Sequence, residues 1–420
     1  MKGLPMDSLT AQQVHKLRNK YLVFSSVTLL FLGLIYAFSM FVQPMSTTFG
    51  LKASDIGFTF NIMMIMFGLG AILGSQLDKH IGVQKSLIIT GLLFFCSFVC
   101  TALFGHVSVY VLYVFYGGLG GTATGIGYNC IVATTNVWFP DKVGFSSGVL
   151  LLGFGFGSLI LGTLAVNLIP VLGLVTVFEG IGVLTCIVVI GLSFVLRKPP
   201  ADISQILGLT TESHATGEDP ADKDHPLKTT LLYVFWIWNT IIIATGLATI
   251  GSCASDAQMV GMSLATATLL VGIVSTCNGF ARIITGFIYD KTNIKLTMII
   301  HSVITVLACV FIITAFKTSI PALYVIGALC CGFSYGGTPV VASAFARQRF
   351  GAKNYPLNLS IVNLDLVLAS LLSVAVQLLA GGPDQRVSIF VIMLILVGLA
   401  FINVYPFTKI WNRDIKRLNA

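Results

Sequence analysis

Runs of about twenty apolar residues, uncharged or nearly so, recur from one end of this 420-residue chain to the other. A helix needs about twenty residues to cross the ~30 Å hydrocarbon core of a bilayer. Only 10% of the residues are charged, whereas soluble domains carry about a quarter. Spans are expected near 21–43, 55–77, 86–106, 108–138, 144–168 and 172–196, and, after a polar gap, near 231–252, 262–289, 295–316, 320–346, 355–380 and 387–411. A bilayer admits only helices or closed barrels, and the runs lack the period-2 alternation of barrel strands. The expectation is an all-α membrane protein of twelve transmembrane helices.

The net charge of +8 is not the footprint of a nucleic-acid binder, because its placement follows the membrane. With both termini cytoplasmic, every Lys and Arg falls in an inner segment except Lys52, Lys317 and Arg386 in outer loops and Arg282 inside a span. That is the asymmetry of the positive-inside rule. One missing helix would invert the pattern downstream, so the count of twelve and the multi-pass plasma-membrane topology, that of a bacterial inner membrane, support each other. The first apolar run is too long for a cleavable signal and lacks a small-residue cleavage site. Residues 1–20 read as a polar cytoplasmic helix or tail and 412–420 as a cytoplasmic tail. The nine cysteines form no CxxC pair or Cys/His cluster, so no disulfide or metal is expected. Trp138, Trp236, Trp238 and Trp411 fall near the inner ends of spans, where an amphipathic ring suits the interface.

Residues 197–230 form the one long polar stretch, with Pro199, Pro200, Gly217, Pro220 and Pro226, as an inter-half linker requires. It divides a bundle at 21–196 from one at 231–411. Gly74-Ser-Gln-Leu-Asp78-Lys79 after the second span is repeated as Gly286-Phe-Ile-Tyr-Asp290-Lys291 after the eighth. Trp138-Phe-Pro-Asp-Lys142 lines up with Arg349-Phe-Gly-Ala-Lys353 at almost the same offset. Two marks in register point to duplicated six-span halves that rock around a shared site. Glycine lets helix backbones approach, and an Asp beside the membrane binds a helix N-terminus or a neighbouring Arg while the inner gate is shut. Gly74, Asp78, Lys79, Gly286, Asp290 and Lys291 are therefore expected to gate.

The duplicated loop resembles the cytoplasmic loop of the major facilitator superfamily, although His80 and Ile81 leave one extra residue before Gly82 in the first copy. Gly33-Leu-Ile-Tyr36-Ala-Phe-Ser-Met40, Tyr128-Asn129, Trp138 to Lys142, the glycine-rich 144–158 and Asn278-Gly-Phe-Ala-Arg282 resemble the oxalate/formate antiporter family and its monocarboxylate-porter relatives. The resemblance runs over most of the chain and is best in spans 4, 5 and 8. It implies the two-bundle fold and secondary transport by alternating access, with no cofactor.

Ionisable residues deep in a span cost about 2.5–3.5 kcal/mol on insertion scales and are functional candidates. Four qualify: Glu179, Arg282, His301 and Asp365. Arg282 lies eight residues before Asp290, about 12 Å into the core, and Asp365 nine residues after Pro356, about 14 Å from the same side. At one depth the two can meet, either as a permanent staple or as a substrate and coupling pair. A guanidinium grips a carboxylate in two places, and Asn278 shares its helix face. In the coupling scheme, a substrate acid takes Arg282 and leaves Asp365 to accept a proton. Glu179 and His301 read as peripheral.

The resemblance implies that Arg282 recognises the substrate carboxylate. It also marks departures. Asn278 stands where an aspartate is usual, Met40 where a lysine ends the span 1 motif, and Asp365 where oxalate-type antiporters carry a second cation. A small dianion then fits poorly; a monoanion or a larger amphipathic acid fits better. Tyr36, Tyr128, Asn129 and Tyr335 lie in spans that line the cavity in relatives. The glycines of spans 4 and 5 mark close packing, and span 5 lacks the Gly-Pro pair of the antiport motif.

The expected function is proton-coupled or exchange transport of a small organic anion, a monocarboxylate first, by a monomer; the alternative is an exchanger or exporter of a larger amphipathic carboxylic acid. No G-x-x-x-x-G-K-[ST] loop is present for ATP drive. A membrane enzyme would need clustered His, Asp, Glu or Cys, which the spans do not supply.

Overall fold

A computed structural model describes residues 10–200, 203–207, 224–351 and 355–418. The linker positions Gly217 and Pro220 and the loop residue Lys353 lie outside the described residues. Eleven continuous helical segments are long and apolar enough to cross a bilayer, and one of them is two spans. Ala53–Phe104 bends at Gly82, whose φ of 81° lies in the left-handed region. Glycine takes that conformation without a Cβ penalty, so the chain doubles back there and spans 2 and 3 are 53–81 and 83–104. Twelve crossings result.

The others are Ala11–Phe49, Val109–Val137, Phe145–Leu172, Leu174–Val195, Thr230–Ile250, Leu264–Lys291, Ile294–Thr318, Pro321–Phe350, Leu357–Leu379 and Arg386–Leu418, numbered as spans 1, 4 to 10, 11 and 12. Helix starts are chemically marked. Thr10 and Gln13 form a capping box, and Ser263 and Asn293 cap spans 8 and 9 through the amides of Thr266 and Leu296. Helix runs through positions 20 and 412, so the described parts of the expected tails, 11–20 and 412–418, are continuous with the helices of spans 1 and 12.

Both described ends of the chain lie on one face. Ion pairs there stay within a half and its flanking segment: Arg18–Asp141 at 2.7 Å, Lys198–Asp78 at 2.8 Å, and Arg349 to Asp224 at 2.8 Å and Asp414 at 3.0 Å. On the far face the halves touch through apolar groups. Phe60 of span 2 packs on Gly251 at the end of span 7, and the short helix Cys253–Met259 packs on the outer half of span 1. That short helix is tied to its own half by Asp256, which binds Arg386 at 2.6 Å and Tyr324 at 3.3 Å.

Two of the four tryptophans turn fully inward. Trp138 and Trp238 are fully buried, donating to the Arg197 carbonyl and to Ser302, and Trp236 donates to the Val362 carbonyl. Trp411 packs on Phe345 and Phe407. An indole N–H that finds a partner inside the protein has no need of the interface.

Candidate functional site

Span 1 winds tightly as a 3-10 helix over Gly33–Ala37, the segment carrying Tyr36, and span 4 winds loosely as a π-helix over Leu112–Gly120, just before Tyr128. Both departures from α geometry alter which way the following side chains face. Close helix contacts then bring them together. A Cβ on Gly33 would collide with the carbonyl oxygen of Phe154 in span 5, and one on Gly336 with that of Asn278 in span 8. Spans 1 and 5 therefore touch backbone to backbone, as do spans 8 and 10.

The outcome is an aromatic cage between the halves. The Tyr36 and Tyr335 hydroxyls meet at 3.1 Å, one from each half. Phe154 packs edge-on against Tyr36 at 5.4 Å and Tyr128 at 5.2 Å between ring centroids, and Phe67 packs on Tyr128 at 5.5 Å. Arg282 enters this cage and donates from Nη1 to the Tyr128 hydroxyl at 3.1 Å. It is 7% exposed, and no ion pair joins it to any carboxylate among the described residues. Its Nε and the Nδ2 of buried Asn278, one helical turn away, have no hydrogen-bond partner. Buried donors left without partners are rare in folded proteins.

The expected meeting of Arg282 and Asp365 does not occur. Asp365 accepts a hydrogen bond of 2.5 Å from the Asn239 amide of span 7 and makes no ion pair. Span 11 is not one straight helix: it breaks at 363–364. The axial depth estimated from Pro356 assumed an unbroken helix, and the break redirects Asp365 towards span 7. Asn129 is half-buried beside Tyr128. His301, expected near an edge, is fully buried, with Nε2 bonded to Thr285 at 3.0 Å and its ring stacked on Phe333. Glu179 is half-buried with no hydrogen bond among the described residues.

Of the gating residues, Gly74 sits tightly on the Ile126 backbone, whereas Gly286 is in ordinary contact with Val340. Asp78 pairs with Lys198; Lys79 and Asp290 are exposed, and Lys291 lies over the Phe287 ring at 4.4 Å. Sequence reasoning missed Phe67 and Phe154. Phenylalanine in an apolar span carries no distinguishing signal.

The profile of the Major Facilitator Superfamily matches residues 23–374. The chain belongs to that superfamily. It is 22% identical over 368 residues to the uncharacterized MFS-type transporter YhjX of Escherichia coli K12, covering 86% of this chain and 88% of that one. To the oxalate:formate antiporter of Oxalobacter formigenes it is 24% identical over 354 residues, 82% of each. A crystal structure of a D-xylose-proton symporter superposes with a TM-score of 0.71 at 18% identity, covering 92% of this chain and 97% of that one. A peptide transporter superposes at 0.69 and 14%, covering 98% and 99%. These structural likenesses establish the major facilitator fold; membership of the superfamily makes the chain a secondary transporter embedded in a membrane.

Proposed function

We propose that this superfamily member carries a small organic anion, a monocarboxylate, across the plasma membrane by alternating access, as a monomer with both termini in the cytoplasm. One observation carries the reading: a buried guanidinium that enters an aromatic cage between two halves keeps an unpartnered N–H, as does a buried amide one helical turn away. Every polar group named in the cage except the phenol oxygens and the Asn278 carbonyl is a donor, which suits a ligand that only accepts. Holding a guanidinium in the membrane without a fixed counter-ion costs about 2.5–3.5 kcal/mol, and a visiting carboxylate offsets that through two parallel hydrogen bonds. Phe67 and Phe154 give the remainder of such a ligand an apolar wall.

A single cation sets the charge of the ligand. The antiporter of Oxalobacter formigenes is named for oxalate and formate; here Asp365 faces Asn239, and among the described residues no second cation joins Arg282. The reading is therefore of a monoanion. The two halves, 21–196 and 231–411, rock about the cage, which each half lines with a tyrosine.

The test is counterflow in proteoliposomes with labelled formate, acetate, lactate, pyruvate and oxalate. Exchange of one or more of the first four, with oxalate weaker, supports the reading. Exchange of neutral or cationic solutes alone overturns it, and exchange only of long-chain acids moves the assignment to a larger amphipathic substrate.

A further inference from the structure

Span 11 is gripped where it breaks. Three hydrogen bonds there reach the third residue back instead of the fourth: Leu364 N to Ile361 O, Leu366 N to Asn363 O and Val367 N to Leu364 O, at 3.0 to 3.2 Å. A stretch of 3-10 winding inside a long helix marks a hinge or a strained segment. It also frees the Val362 carbonyl from the Leu366 amide that would otherwise take it. Trp236 Nε1 of span 7 donates to that carbonyl at 2.8 Å, and three residues on, from the same face, Asn239 Nδ2 donates to Asp365 Oδ2. Two side chains of one helix thus hold both sides of the break.

The pair is unusual in what it leaves out. Asp365 is 2% exposed and Asn239 1%. Spans 2, 7, 10 and 12 pack around this segment. Their titratable and charged groups are Asp55, Asp78, Lys79 and His80 at the ends of span 2, Tyr233 on span 7, Tyr324, Cys330, Cys331, Tyr335, Arg347 and Arg349 on span 10, and Arg386, Tyr405, Lys409, Arg413, Asp414, Lys416 and Arg417 on span 12; Lys228 lies just before span 7. None forms an ion pair with Asp365. A carboxylate buried without a cation is expensive. The Asn239 Oδ1 atom has no hydrogen-bond partner. An amide turned by half a rotation offers oxygen in place of N–H. Asn239 can therefore donate to a charged Asp365 or accept from its O–H, and the pair stays satisfied in either protonation state.

We infer that Asp365, read by Asn239, is a proton-binding site that couples transport to protons, at a place separate from the anion cage. Charge counting gives the reason. With no substrate, the core holds Arg282 positive and Asp365 negative, a net charge of zero. An anion bound at Arg282 makes the core net negative, and a proton on Asp365 returns it to zero. Both the empty and the doubly loaded forms then rearrange without carrying net charge through a low-dielectric core, while the singly loaded form does not. The step is a reversible protonation: an Oδ–H bond forms with a proton from water on one side and breaks to water on the other. The connection to the cage is short. A Cβ on Gly68, the residue after Phe67, would lie 3.0 Å from Val367, so the gripped turn rests on the cage wall.

This inference rests on the anion reading, and the experiment separates the two. Wild type and Asp365→Asn are reconstituted and given whichever of labelled formate, acetate, lactate or pyruvate the wild type exchanges fastest. Wild type accumulates the probe under an inward proton gradient, up to about the imposed proton ratio. Asp365→Asn keeps counterflow within about fivefold and loses that accumulation, because its loaded form still crosses while its empty form carries net positive charge. The swap Asn239→Asp/Asp365→Asn regains accumulation. A merely structural pair would leave Asp365→Asn accumulating like wild type, since two amides also bond, and that result overturns the inference. Infrared difference spectra on a pH titration need no substrate: a carboxylic-acid C=O band present in wild type and absent in Asp365→Asn supports the site. Exchange without that band sinks the proton site alone; the band without exchange of any probe sinks the anion reading alone.

Discussion

Tyr36 of span 1 and Tyr335 of span 10 touch hydroxyl to hydroxyl at 3.1 Å, a polar contact that joins the two halves. A hydrogen bond of this kind contributes about 0.5–1.5 kcal/mol net. Tyr36→Phe is expected to shift the initial rate of counterflow by no more than about tenfold, and Tyr335→Phe the same. The double variant should do little more than either, since one bond is lost in each case; rates measured in proteoliposomes check the non-additivity.

Arg282→Gln is expected to abolish exchange of every probe while raising the thermal midpoint of the detergent-solubilised protein. The loss follows from removing the fork that grips the ligand. The gain follows from removing a charge that costs about 2.5–3.5 kcal/mol to hold in the membrane. Arg282→Lys keeps charge without the planar fork and should lose at least about tenfold in kcat/KM. A dead variant that is also less stable would mean that Arg282 holds the helices together.

Gly336→Ala sets a methyl against the Asn278 carbonyl. Neither partner is a flexible side chain, so spans 8 and 10 must separate, at a cost of about 1–3 kcal/mol. Transport should fall well beyond the effect of Tyr335→Phe, because Arg282 and Tyr335 are carried apart together. Gly286→Ala, whose methyl would meet only Val340 at 3.9 Å, is the control: its thermal midpoint and counterflow should stay near wild type.

Asp256→Asn leaves the buried Arg386 without its counter-ion. Arg386 is 4% exposed, and its other acceptor is the uncharged Ala248 carbonyl, at 2.8 Å. Breaking a buried pair from one side costs about 3–5 kcal/mol, so a large fall in thermal midpoint is expected. Asp256→Leu/Arg386→Met, which removes both charges, should recover most of it. Thermal unfolding of the three proteins in detergent measures the difference.

The crossings were legible because bilayer thickness imposes a length on any helix that spans it, and the doubled Gly-x-x-x-Asp-Lys loop pointed to two duplicated halves. Arg282, Asn278, Tyr36, Tyr128 and Tyr335 stood out for their chemistry or their motifs, and the fold brings Arg282 to Tyr128 and Tyr36 to Tyr335. The partner of Asp365 was not legible. Depth along an ideal helix placed it beside Arg282, but the break at 363–364 depends on what Trp236 and Asn239 offer from a span more than a hundred residues earlier. Phe67 and Phe154 escaped for a different reason: in a chain this rich in phenylalanine, a ring that lines a cage looks like any other ring facing lipid or core.

The far-face closure between Phe60 and Gly251 is made of a benzene ring and a bare backbone. Ions in the medium have no purchase on it, because there is no charge for them to screen. The ionic contacts of the opposite face, such as Lys198 with Asp78, bind each half to itself. Changing the ionic strength should therefore loosen local surface pairs without tilting the balance between the two openings, whereas a bulky side chain at position 251 would wedge one door ajar.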